Sequence, residues 1–235
     1  MESEKSLTKS AVEPFVALIL ATVTLNFLVL LGCHIAVYVG GIIAFFWVFN
    51  VNRSNYISEV STRASFLALI FGFGMTMIFN GFYWHFGMYL CTLSFFHWSE
   101  FVTLAFVNPS TVTIASFMLD HSLEYYVAAT CSIVEYFLEI SYFPGKWIGI
   151  FKLFVIFRLS DWKSWGTISV IGIFLIVSGE SIRKLAIIHL GKNFTHQVQF
   201  VPLQNHRLVT NGIYAYIRHP SYVGWFWYSI GTQVK

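Results

Sequence analysis

Hydrophobic residues in this 235-residue chain gather into long runs instead of recurring at the spacing of a half-buried soluble helix. The first run covers residues 14–31 and the second residues 33–49, with Gly32 between them. A helix crossing the bilayer core needs about 17–25 mostly apolar residues, so residues 1–50 are predicted to form a tight N-terminal helical hairpin. Pro14 is expected in the first turn of its first helix. From Ala64 to Leu93 no Asp, Glu, Lys or Arg occurs. That length exceeds one upright span and predicts a helix tilted or broken near Gly72, Gly74, Gly81 and Gly87, with those glycines serving close internal packing. His97, Trp98 and Glu100 interrupt the pattern, and residues 101–107 read as a short return span ending at Asn108-Pro109.

Residues 111–140 carry Asp120, Glu124, Glu135 and Glu139, which fits either a cavity lining or a segment at the membrane interface. Residues 141–165 set Lys146, Lys152, Arg158 and Lys163 among aromatic residues, a basic amphipathic stretch with Pro144-Gly145 as its breaker. A clearer helix is predicted over 166–190. Its apolar half is followed by Glu180, Arg183 and Lys184 on one face, and Gly191 ends it. A polar connector, 192–211, leads to the turn dipeptide Asn211-Gly212, and Pro220 opens the last helix.

Composition agrees with this pattern. The chain is 57% hydrophobic and 11% charged, against about 25% charged for a soluble domain. The fold class is therefore an all-α, polytopic transmembrane helical bundle of about seven spans, organised as one domain over 1–235. A net charge of +3, spread over single Lys and Arg residues, gives no footprint for nucleic acid. Lys5, Lys9, Arg53 and Arg63 act instead as topology signals that place one face in the cytosol. Cys33, Cys91 and Cys131 lie far apart in apolar runs, so they read as buried small apolar residues, with neither a disulfide framework nor a metal site indicated.

The densest chemistry lies between Leu203 and Trp225, where Arg207, Arg218, His206, His219, Tyr214, Tyr216 and Tyr222 adjoin apolar helices. A helix beginning at Pro220 beside Arg218 and His219 is an anion or carboxylate site in waiting. Methyl transfer from a sulfonium to a carboxylate, the reaction implied by the family resemblance given below, would suit such a layout. The nucleophile is already ionised at neutral pH, so positioning and water exclusion carry the rate without a general base. Tyr214 and Tyr222 offer ring faces to a base or a sulfonium. Taken alone, the histidines also read as satisfied polar residues, and Glu180 with Lys184 as a structural intrahelical pair.

The string Tyr214-x-x-x-Arg218-His219-Pro220-x-Tyr222-x-Gly224, followed by Trp225 and Ser229-Ile230-Gly231-Thr232-Gln233, resembles the signature of the eukaryotic isoprenylcysteine carboxyl methyltransferases. Gly179-Glu180-x-x-Arg183-Lys184 and Asn193-Phe194-Thr195-His196 look like family motifs too, and Phe96-x-x-Ser99-Glu100 and His121-Ser122-Leu123-Glu124-Tyr125 more faintly. The resemblance implies a cofactor, S-adenosyl-L-methionine, at Gln199, His206, Arg207, Leu208, Val209, Tyr214, His219, Pro220, Ser221 and Tyr222. It places Glu180 and Arg183 on the substrate route as catalytic residues. It further implies a multi-pass protein of the endoplasmic reticulum membrane with a cytosolic active site, acting on the C-terminal prenylcysteine of processed CaaX proteins such as small GTPases. Family members continue past Lys235 into a further apolar helix and a distal Arg-x-x-x-Glu motif, so residues 192–235 are expected to be only the start of the cofactor region. Residues 145–160 read as an insertion. Phospholipid or amine methylation, and a non-catalytic protein that binds prenylated tails, remain alternatives.

Overall fold

The structure, a computed structural model, describes residues 2–30, 55–80, 83–119, 122–142, 166–196 and 208–233. Among them all regular structure is helical: α1 (Glu2–Leu30), α2 (Asn55–Phe79), α3 (Trp84–Val107), α4 (Leu123–Tyr142), α5 (Thr167–Leu190) and α6 (Pro220–Gln233). Short 3₁₀ turns stand at Pro109–Thr111, Ile114–Phe117, Gly191–Asn193 and Gly212–Ala215. Tyr56–Phe79 and Trp84–Val107 are each long and apolar enough to cross a bilayer. Residues 33–49, the second half of the expected N-terminal hairpin, and the basic stretch at 145–160 lie outside the described residues.

Helix α1 begins at Glu2 and runs through Pro14, instead of starting there. A proline inside a helix has no N–H for the carbonyl four residues back and crowds that carbonyl. Neighbouring helices make up the deficit. Ser61 Oγ of α2 donates to Ser10 O at 3.3 Å, and Trp98 Nε1 of α3 donates to Ala11 O at 3.1 Å. Phe15 stacks on the same Trp98 ring at 4.2 Å. Small residues at the contacts, Ala11, Ser61, Ala64, Ser65 and Ala68, are buried and let α1 and α2 approach closely. Around them Val60, Leu67, Phe101, Ala105 and Phe117 complete the core.

The thirty-residue uncharged run is divided between Phe79 and Trp84, where Tyr83 takes a left-handed conformation with φ 51°. The two resulting helices pack antiparallel, and a Cβ on Gly74 or Gly87 would lie 2.6 Å from the other's carbonyl oxygen. The break thus falls between Phe79 and Trp84, while Gly74 and Gly87 serve packing. Helix α3 then continues unbroken to Val107, so residues 101–107 are its last turns and not a separate return span. It tolerates His97, Trp98 and Glu100 because each meets a partner inside the protein.

Helix α4 decides between two open readings and corrects one expectation. Its Glu124, Glu135 and Glu139 are exposed and line no cavity among the described residues, which fits the interface reading, while Asp120 and His121 lie outside the described residues. Cys131 on the same helix is exposed and only Cys91 has the expected burial; Cys33 lies outside the described residues. The helix is pinned mainly through Tyr136, which stacks on Phe86 at 5.3 Å.

Helices α5 and α6 form an antiparallel pair at very short range. A Cβ on Gly179 would stand 2.5 Å from Tyr228 N and 2.6 Å from Gly224 O. Gly191 ends α5 with φ 58°, and Pro220 begins α6, both as the sequence predicts.

Candidate functional site

Three elements meet at Glu100, whose side chain is fully buried in α3. Arg183 of α5 grips it with both edges of one fork, Nε to Oε1 at 2.8 Å and Nη2 to Oε2 at 2.9 Å. Lys184 Nζ reaches Oε1 at 2.5 Å, and His196 Nε2, just past α5, reaches Oε2 at 3.0 Å. An ionised carboxylate only accepts, so the His196 proton involved sits on Nε2. Lys184 also pairs with Glu180 at 3.1 Å, which in turn accepts from Ser99 Oγ at 2.7 Å. Two carboxylates facing two cations cancel in charge, the condition under which an ionic group tolerates burial. Phe96 lies under both cations, 5.3 Å from each, and Tyr228 stacks behind it at 4.7 Å.

Arg183 carries the contact onward to α6. Its Nη1 donates to Ser221 Oγ at 3.1 Å and to Ser221 O at 3.4 Å, while Nη2 also meets Met118 Sδ at 3.5 Å. A guanidinium has five N–H donors, and here all five are engaged. Glu180 differs: its Oε2 is buried without a hydrogen-bond partner among the described residues.

The turn ahead of α6 is docked on the end of α5. Gly212, with φ 59°, packs against the His189 ring, where a Cβ would come within 2.8 Å. Ile213 N donates to His189 Nδ1 at 3.2 Å, and the Tyr214 hydroxyl donates to Ala186 O at 3.4 Å. Burial pushes the Tyr214 phenol above its ordinary value. Beyond it His219 is exposed, with its ring 6.2 Å from that of Tyr222. Val223 N already bonds His219 O, so the Ser221 and Tyr222 amides are the ones left facing out of the helix start.

Of the residues singled out in the sequence, the structure joins Arg183 to Ser221 and His219 to Tyr222, and sets Tyr214 on α5. Pro220 is buried as the first residue of α6. Leu208 and Tyr222 are exposed, at 88% and 64%, and Val209 is half-buried. Glu180 lies deeper, against Ser99 and Lys184. Gln199, His206 and Arg207 lie outside the described residues. Sequence reasoning gave Glu100 and His196 no role. The available signal was a carboxylate in the middle of an apolar run, which a membrane helix carries only when something pairs with it.

A sequence profile of the isoprenylcysteine carboxyl methyltransferase (ICMT) family matches residues 170–234. The chain is 44% identical over 177 residues to the human protein-S-isoprenylcysteine O-methyltransferase, covering 75% of this chain and 57% of that protein. It is 37% identical over 204 residues to the protein of the same name from Tribolium castaneum, covering 83% of this chain and 67% of that one. The solved structure of a eukaryotic intramembrane Ras methyltransferase, an isoprenylcysteine carboxyl methyltransferase, superposes with a TM-score of 0.76 at 31% identity. That match covers 97% of this chain and 79% of the other.

Proposed function

The chain belongs to the isoprenylcysteine carboxyl methyltransferase family, and from that premise we propose that it forms the core of a site for S-adenosyl-L-methionine-dependent methylation of prenylcysteine carboxylates. The substrate would be the C-terminal prenylcysteine of processed CaaX proteins, small GTPases among them. The setting would be the endoplasmic reticulum membrane, with the 192–235 region toward the cytosol.

The observation that carries this reading is the start of α6. Outward-facing amides at Ser221 and Tyr222, with His219 beside them, favour a carboxylate such as the methionine end of the cofactor. Tyr214, Tyr222 and exposed Leu208 supply ring and apolar surface for the nucleoside. Gln199, His206, Arg207, Val209 and Pro220 complete the proposed cofactor set. When bound, that cofactor supplies an electrophilic methyl group. The residues of the chain have no proton to move, because the accepting carboxylate is ionised; their task is to align it and keep water out. Glu180, one helical turn deeper, takes the substrate side, its open Oε2 available to a donor on the incoming group.

The test is methyl transfer from labelled cofactor by the chain in nanodiscs, offered N-acetyl-S-farnesylcysteine or phosphatidylethanolamine. Methyl ester on the farnesylcysteine alone is expected. Transfer to the phospholipid alone overturns the substrate assignment, and failure to bind the cofactor at all overturns the site. The chain spans only 57% of the human relative's length, so cofactor affinity is read separately from turnover.

A further inference from the structure

We propose that Glu100 is a positioning residue of this site, acting through Arg183 and His196 to fix the start of α6 and the head of the connector against α3. The inference rests on the function proposed above but is argued from contacts that need no cofactor.

Arg183 is the usual choice for gripping a substrate carboxylate, and its donors are already spent: two on Glu100, two on Ser221 and one on Met118. A guanidinium is planar, so once its Nε–Nη2 edge is locked on Glu100 the direction of Nη1 is set. That direction is Ser221. Shape enforces the same register, since Gly224 faces Arg183 so closely that a Cβ would stand 2.7 Å from the Arg183 nitrogen and 2.9 Å from its Cβ. On the other oxygen of Glu100, His196 ties down the chain just after α5. One carboxylate therefore holds two points of the chain, His196 directly and Ser221 through Arg183. Removing its charge should loosen the two anchors of the connector while leaving the α1–α2 packing intact.

The experiment compares wild type, Glu100→Gln and the double variant Glu100→Met with Arg183→Met in nanodiscs. Hydrogen exchange of the cofactor-free protein, thermal unfolding and S-adenosylmethionine affinity are measured on each. In Glu100→Gln, exchange over 191–196 and 219–224 should rise at least about tenfold with residues 10–20 and 60–70 unchanged. Cofactor affinity should fall about tenfold. Replacing a buried ion pair by apolar residues of similar volume often restores stability, so the double variant should melt near wild type yet bind cofactor weakly. Wild-type exchange and affinity in Glu100→Gln would overturn the proposal, as would affinity that returns with stability in the double variant. Arg183→Lys, which keeps the charge but loses the fork, gives the same readout if Glu100→Gln does not fold. A wild-type chain that binds no cofactor sinks the proposed function and leaves the exchange result to judge this inference.

Discussion

Gly179 and His219 are both replaceable by alanine on paper, with opposite consequences. A methyl on Gly179 meets backbone atoms of α6, Tyr228 N and Gly224 O, which cannot rotate away. The helices must part, and the expected loss is about 1–3 kcal/mol, read as a lower thermal midpoint with the isolated helices still formed. His219→Ala removes an exposed side chain that touches only the Tyr222 ring among the described contacts. Stability should be unchanged, while cofactor affinity falls by about 1 kcal/mol, the size of one solvent-accessible hydrogen bond. Isothermal titration separates the two. The helix start at Pro220, with His219 before it and Ser221 after it, was legible in the sequence because turn and helix-start chemistry is local. Glu100 was not, because its partners lie more than eighty residues away and are fixed only by packing.

At the level of elements, the proline in α1 makes the interhelical bonds matter. Pro14 leaves Ser10 O without its helical donor, and Ser61 supplies one from α2. Pro14→Ala should return that donor to the helix, so Ser61→Ala is expected to cost less in the Pro14→Ala background than in wild type. A double-mutant cycle of thermal unfolding should give a coupling of about 0.5 kcal/mol or more; additive effects would show the Ser61 bond to be incidental. The sequence rule that puts proline in a first turn failed here because the polar stretch ahead of Pro14 continues the helix, with Leu7, Ser10 and Ala11 packed against α2. The division of the long apolar run had the opposite fate. Glycine positions announced both the break and the contact, because a crossing at Gly74 and Gly87 leaves no room for any side chain. The bounds of α5 and α6 were equally legible from Gly191 and Pro220.

For the molecule as a whole, the proposed cytosolic cofactor fixes an orientation that composition alone only suggests. Tyr216, 90% exposed, follows directly after the 3₁₀ turn docked on α5, and among the described residues no helix or ring covers it. It is thus a reporter for the face on which the start of α6 opens. Tyr216→Cys in sealed microsomes, whose outer surface is the cytosolic one, should react with a membrane-impermeant maleimide before any detergent is added. Cys131 serves as the internal control. It is exposed on α4 beside Val127, Val134 and Leu138 but also one turn before the exposed Glu135, so its labelling in the otherwise wild-type chain is measured first and subtracted. Labelling at Tyr216→Cys alone supports a site open to cytosolic cofactor. Labelling that appears only after permeabilisation would invert the molecule. The carboxylate-binding start of α6 would then face the lumen, and the assignment of His219, Ser221 and Tyr222 to a cytosolic cofactor would fall with it.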